Sequence, residues 1–244
     1  MSNTYFKFKQ FVIYQDRCAM KVSTDACVFG AWMAGVVFSA SSASSASSPR
    51  VLDIGAGTGL LSLMVAQQNP SAEITGVELQ SASAGQGAFN MTISPWASRL
   101  HMIEGDINEQ DFSHLFDVII SNPPFFEGDL KGEEAGRNLA RHGDMLTLSQ
   151  LTGILRQNLT PAGVAGILLP FHRMEAFLAQ AADAGFYCRE RVLLRQTPGH
   201  GYFRAMLLLG RREGDCVERT LVIKEGEGYT EEFVELLKGY YLYL

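Results

Sequence analysis

The architecture turns on RVLDIGAGTGLLSLMVAQQN, residues 50–69. Residues 50–55 read as a strand that runs into a glycine turn. Residues 59–69 carry apolar side chains at helical spacing and stop before Pro70. Gly55, Gly57 and Gly59 fall at every second position of the junction, and Asp53 stands on the strand just before them. Glycines between a strand and a helix let the backbone approach a ligand closely.

Outward from this unit the same alternation recurs. EITGVEL (73–79) is a strand, and QSASAGQGAFNMTIS (80–94) is a helix diluted by two glycines. RLHMIEGD (99–106) is a strand and turn, and LFDVIISN (115–122) is a further strand. The polar stretch 128–144 reads as a loop, 146–159 as a helix, 162–170 as a strand and 172–185 as a helix ending at glycine. Strands at 186–196 and 202–212 are joined by TPGHG, a hairpin-like link. Single helices between strands predict parallel βαβ units in a doubly wound sheet, and the last two strands require at least one antiparallel partner. The expected fold is α/β, with a mostly parallel seven-stranded sheet, an antiparallel C-terminal strand and an N-terminal extension. The whole chain, 1–244, is expected to be one domain: an extension over 1–38, a flexible Ser/Ala-rich loop over 39–49 and the core over 50–244. In the extension STDACVFGAWMA reads as a helix capped by Ser23, Thr24 or Asp25, and the tail helix by Thr230.

Composition limits the function. With 47% hydrophobic residues the chain can fill a core, and no apolar run approaches the ~20 residues that cross a bilayer. The start, MSNTYFKFKQ, has no signal-peptide apolar stretch. Four scattered cysteines without C-x-x-C spacing argue against zinc and fit a reducing cytoplasm. A net charge of −6 opposes broad nucleic-acid binding but leaves room for a local basic groove.

A glycine turn alone does not separate dinucleotide enzymes from methyltransferases. Pyrophosphate prefers a helix N-terminus without a carboxylate nearby. Asp53 therefore favours a cationic ligand, such as the ammonium and sulfonium of S-adenosylmethionine. Glu78 ends the second strand, where a carboxylate accepts ribose hydroxyls. Asp106 ends the third and can accept from an adenine amino group, with the Ile107 backbone donating to a ring nitrogen. All three acids fall at strand ends, where open parallel sheets bind ligands.

The fourth strand delivers ISNPPFF, residues 120–126, to the same edge. An exocyclic amine on a heterocycle or amide is planar and a poor nucleophile. Acceptors that hold its two N–H groups out of plane aim its lone pair at a methyl group. Asn122 offers a side-chain carbonyl and Pro123 a backbone carbonyl. Pro123 and Pro124 fix the turn in advance, and Phe125 offers a ring on which a flat base stacks. No metal is required.

DIGAGTG, Glu78, Gly105–Asp106 and NPPF together resemble class I S-adenosylmethionine-dependent methyltransferases that act on amines. With FKFKQFVIYQDRCAMKVSTDACVFGAWM, SPWASRL and YTEEFVELLKGYYLYL, nearly the whole chain is similar to the bacterial tRNA adenine-N6 methyltransferases. The resemblance implies adenine 37 of valine tRNA as target and S-adenosylmethionine as donor. It places Asp53, Gly55, Gly57 and Gly59 in the cofactor loop, Glu78 on the ribose, Asp106 on the adenine and Asn122 to Phe125 in the catalytic turn. It also places Thr24 and Asp25 over the cofactor's methionine end. Many members carry tyrosine at the position of Phe125, so stacking is kept and a hydroxyl contact is not.

For the RNA, the first 22 residues hold Lys7, Lys9, Arg17 and Lys21 against one acid, and residues 188–213 hold six arginines against two acids. Arg189 and Arg191 share a strand face, and Arg137 and Arg141 follow the catalytic turn. These groups are expected to hold phosphates. Alternatives are guanine N2, DNA adenine N6 or a glutamine amide as the methylated amine, or a catalytically idle RNA-binding protein. No membrane or metal partner is expected; the oligomeric state is not fixed, with a slight preference for a monomer.

Overall fold

The computed structural model describes residues 3–18, 20–43, 48–123 and 146–244. In chain order the strands and helices are β1 (Tyr5–Lys7), β2 (Val12–Tyr14), α1 (Thr24–Ala43), β3 (Arg50–Ile54), α2 (Leu60–Gln68), β4 (Glu73–Glu78), α3 (Ser81–Thr92), β5 (Leu100–Glu104) and β6 (Phe116–Ser121). There follow α4 (Leu148–Asn158), β7 (Leu159–Pro170), α5 (Met174–Asp183), β8 (Tyr187–Arg195), β9 (Tyr202–Gly210), β10 (Val217–Val222), the short pair β11 (Lys224–Glu225) and β12 (Gly228–Tyr229), and α6 (Glu231–Leu237).

The main sheet has the order β10-β8-β9-β7-β6-β3-β4-β5. Every neighbouring pair is parallel except β7–β9 and β8–β9, so β9 alone runs against the rest. Alternate residues of the central strands feed two cores. Val51, Val118 and Ile120 face α1, α2 and the C-terminal tail. Leu52, Ile54 and Ile119 face α4 and α5. Apolar side chains on both faces are what a doubly wound parallel sheet requires.

Two expectations need correction. The sheet has eight strands, not seven, because Val217–Val222 adds an outer strand parallel to β8. Half of that segment is polar and its first three residues are exposed, so its pattern does not announce a strand. The Ser/Ala-rich stretch is not a loop from residue 39, because α1 continues to Ala43. Serine and alanine at 39–43 are compatible with a helix already under way. Thr230 caps α6 as expected, accepting from the Phe233 amide. Tyr240, fully buried, donates to the Met64 carbonyl at 2.9 Å and ties the C-terminal tail to α2.

The two glycines that dilute α3 differ in role. A Cβ on Gly87 would lie 2.5 Å from the Gly57 carbonyl oxygen and 2.5 Å from Met102 Cε, so this glycine lets α3 rest on the glycine turn. Gly85 is exposed and meets nothing within 4 Å. Gly87→Ala is therefore expected to destabilise by about 1–3 kcal/mol. Gly85→Ala should be neutral or gain up to about 1 kcal/mol. Urea unfolding of the two variants checks this, and the opposite ranking overturns the packing argument.

Candidate active site

Strands β3, β4, β5 and β6 end at one edge of the sheet. Ile54 pairs with Val77 on one side and Ser121 on the other, and Glu78 pairs with Glu104. The next residue of each strand therefore enters the same rim, with Asn122 roughly 5 Å from the glycine turn by strand spacing. Gly55, Gly57 and Gly59 have φ of 70°, 55° and 78°. Only glycine adopts such a run without strain. The turn is stitched to β4: the Gly55 and Ala56 amides donate to Val77 O at 2.9 and 3.1 Å. The Gly57 amide donates to Glu78 Oε2 at 2.9 Å. Glu78 Oε1 accepts from the Gln80 amide at 2.9 Å. Both carboxylate oxygens are thus anchored and keep further acceptor capacity.

Asp53 is fully buried. Its Oδ2 accepts from Ser62 Oγ at 2.7 Å and from the Ser62 amide at 3.2 Å, in the first turn of α2. Its Oδ1 has no hydrogen-bond partner among the described residues. Burial raises the Asp53 pKa to about 7, against the opposing Ser62 hydrogen bonds and with Glu78 adding repulsion. A buried carboxylate oxygen without a donor is a costly feature that a cationic ligand satisfies. Ser62 was not singled out in the sequence; a lone hydroxyl inside the apolar run LLSLMV is the signal that marks it.

Asp106 Oδ1 accepts from the Asn108 amide and from Asn108 Nδ2, at 2.9 and 2.8 Å, which holds the turn after β5. Ile107 is buried behind it. Asn122 is half-buried at the end of β6 and Pro123 is buried. Pro124 and Phe125 lie outside the described residues, as do Arg137 and Arg141.

The N-terminal extension is pinned to α3. Asn90 accepts from the Tyr14 amide at 3.0 Å and donates to Tyr14 O and Thr58 O, each at 2.9 Å. Gln86 Oε1 accepts from the Arg17 amide at 3.0 Å. Gln15 then holds the turn through the Val22 amide and the Lys21 ammonium. Asp25 in the first turn of α1 pairs with Arg204 at 2.8 Å. Arg204 faces Pro170 at the end of β7, so Asp25 reaches the same sheet edge from the opposite side. Thr24 is exposed and contacts the Tyr241 hydroxyl. The sequence gives no period-based sign of Gln15, Gln86 or Asn90, because these ties join segments far apart in the chain.

The expected phosphate contacts divide. Arg17 and Lys21 lie on the segment that leads to the rim. Lys9 instead donates to Lys238 O at 2.6 Å and secures the tail, with Lys7 on the neighbouring β1. Arg191 pairs with Leu207, Leu207 with Ile167 and Ile167 with Ser121, so Arg191 is level with the end of β6, three strands away, and Arg189 lies two residues earlier, where it covers Gly210. Arg191 is also engaged, with Glu218 at 2.5 Å and Glu175 at 3.4 Å.

A glycine turn, three strand-end carboxylates and an Asn-Pro turn on one carboxyl edge define a class I methyltransferase. Residues 20–150 match the methyltransferase small domain family. The chain belongs to that family and, within it, to the tRNA1(Val) (adenine(37)-N6)-methyltransferases, whose methyl donor is S-adenosylmethionine. It is 37% identical over 241 residues to the enzyme so named from Yersinia pestis (strain Pestoides F), covering 97% of this chain and 93% of that one. The same figures hold for the enzyme of that name from Yersinia pseudotuberculosis serotype O:1b (strain IP 31758). The fold is shared with a protein from Agrobacterium tumefaciens described as a predicted O-methyltransferase, at TM-score 0.61 and 15% identity over 88% of this chain and 96% of that one. It is also shared with the glycopeptide N-methyltransferase MtfA complexed with S-adenosyl-L-methionine, at TM-score 0.52 and 13% identity over 75% and 94%.

The raised Asp53 pKa makes a test of the ligand-free protein. The unfolded carboxyl ionises near 3.8, the folded one only at about 7. Stability from this group is complete below about 4, falls as the pH climbs to about 7, and is level beyond. The difference between wild type and Asp53→Asn in urea unfolding should therefore shift in favour of the variant across that window, by an amount on the order of a few kcal/mol. A difference that does not change with pH contradicts the buried-carboxyl assignment.

Proposed function

We propose that this chain transfers a methyl group from S-adenosylmethionine to the exocyclic N6 amine of an adenine in tRNA, namely adenine 37 of valine tRNA. The observation that carries the reading is the β3–β6 pairing. It sets Asn122 beside a glycine turn that holds a buried carboxylate oxygen with no partner. The residues present fit the donor. Asp53 Oδ1 answers a cationic group, Glu78 is held to accept ribose hydroxyls, and Asp106 flanks the base with Ile107 packed beneath. Gly55, Gly57 and Gly59 leave room for close approach, and Thr24 and Asp25 close the far side. When bound, S-adenosylmethionine supplies an electrophilic methyl group.

The rest of the chemistry falls to Asn122 and Pro123. Their carbonyl oxygens accept the two N–H groups of the amine and draw its lone pair out of the ring plane. Both are neutral, so neither competes for the proton before the amine becomes acidic. Pro124 stiffens the turn and Phe125 stacks on the base. Proline at 123 sets the geometry before substrate arrives, so little reorganisation is left to the reacting state. Such an enzyme works where tRNA is, in the cytoplasm. A single domain over 1–244 is consistent with the shared sheet.

Mass spectrometry of nucleosides from tRNA, with and without the active protein, is the direct test. N6-methyladenosine should appear at position 37 of valine tRNA, and its absence with another methylated nucleoside present would reassign the substrate. Asn122→Ala should lose about 100-fold or more in turnover while keeping affinity for S-adenosylmethionine. Asp53→Ala should reverse that pattern, with cofactor affinity falling first. Turnover of Asn122→Ala equal to wild type removes the acceptor role.

A further inference from the structure

Arg191 is occupied by Glu218 and Glu175, which moves the search for an RNA-binding surface to the end of the same strand. β8 runs toward the rim that carries Asn122, and β9 runs back from it. The connecting turn, residues 196–201, therefore projects past the carboxyl edge. Arg195 ends β8 at that edge, where it pairs with Tyr202. Three strand spacings across the sheet and three residues along β8 separate Asn122 from Arg195, or about 17 Å.

The side chains around this turn are cationic and aromatic. Arg195 donates through Nη1 to Pro198 O at 3.1 Å and lies 5.8 Å from the Tyr202 ring centroid. Its Nε is buried without a hydrogen-bond partner, and among the described residues no carboxylate meets its guanidinium within 4 Å. Phe171, just past the end of β7, packs on Tyr202 at 5.2 Å. His172 next to it is exposed. His200 is exposed and bonds Thr197 at 2.7 Å, which closes the turn. No acid occurs between Arg195 and Arg212. Arg204 is the exception among the cations, because Asp25 neutralises it. Lys224 and Glu225 of β11 stand beside this turn as well, because the Lys224 amide donates to Gln196 O at 2.9 Å.

We propose that the β8–β9 turn, with Arg195 as its principal cation and His172 and His200 beside it, grips the phosphate backbone of the tRNA whose base enters the turn after β6. The inference rests on the tRNA reading above. Charge complementarity selects the occupant: a guanidinium without a carboxylate partner, beside the Tyr202 ring, is suited to a nucleic-acid backbone. The position selects the strand, because a backbone lying along the carboxyl edge passes both Asn122 and this turn. The β9 reversal gives this sheet a turn at its catalytic edge without a crossover.

The test is binding of unmodified valine tRNA, by fluorescence anisotropy at several salt concentrations, to wild type, Arg195→Ala, Arg195→Lys and Arg212→Ala. Arg212 is exposed just past the end of β9, at the opposite edge. Arg195→Ala should weaken binding about 5- to 10-fold and reduce the salt slope by about one. Arg195→Lys should recover most of the affinity, and Arg212→Ala should match wild type. Affinity for S-adenosylmethionine should stay unchanged in all four, which separates a phosphate contact from a loosened hairpin. An unaltered salt slope in Arg195→Ala, or an equal loss in Arg212→Ala, overturns the placement while leaving the tRNA reading standing if wild type still methylates tRNA. Wild type that neither binds nor methylates tRNA overturns both.

Discussion

The parallel pairing of β3 with β4 on one side and β6 on the other is the constraint from which the rest follows. Parallel strands release their last residues at one edge. The glycine turn, Glu78 and Asn122 are therefore neighbours, although 67 positions separate Gly55 from Asn122 in the chain. The two cores exist to hold that edge still. Apolar side chains alternate along β6, with Val118 and Ile120 on one face and Ile119 on the other, and both sets are fully buried. A rotation of β6 about its axis is thus opposed from both sides. The same layout gives α3 its glycine: the helix can lie on the glycine turn only where it has no side chain.

Charge is divided along this edge. Asp53, Glu78 and Asp106 occupy the β3–β4–β5 side. Arg195, His172 and His200 occupy the β7–β9–β8 side, with Arg204 set against Asp25 between them. On the proposed function a cationic donor belongs to the first side and an anionic acceptor strand to the second. They meet at β6, whose end carries an uncharged amide. An ionised group there would favour one reactant electrostatically over the other; a neutral acceptor binds the amine without taking sides.

Much of this was legible in the sequence because it is local. A strand, a glycine turn and an apolar helix lie within twenty consecutive residues, and the acids at 53, 78 and 106 each follow an apolar run that identifies itself as a strand. The unread features depend on pairing between distant segments. β10 is an outer strand with a half-polar pattern, supported by β8 on one side only. Arg189 and Arg191 lie on a strand, as expected, but the acids that occupy Arg191, Glu175 and Glu218, come from other segments. Nothing within residues 186–196 encodes those partners. The ties of Asn90 and Gln86 to Tyr14 and Arg17 are of the same kind: common polar side chains whose partners lie about 70 residues away.

Asp53 marks where stability has been given up for chemistry. A scaffold needs no carboxylate at a fully buried position on its central strand, and an apolar residue there would avoid the desolvation cost. Ser62 offsets part of that cost with two donors, both directed at Oδ2. Two donors on one oxygen leave the other with none, and fix the carboxyl plane so that Oδ1 has a definite direction. Had the hydroxyl and the amide been shared between the two oxygens, the carboxylate would be better satisfied and less able to receive a ligand. Glu78, anchored by the Gly57 and Gln80 amides, adds a second negative charge that worsens the situation of Asp53 until a cation arrives. Of the buried polar atoms without partners among the described residues, Asp53 Oδ1 is the one beside the run of left-handed glycines. That coincidence is the physical reason to place the methyl donor there.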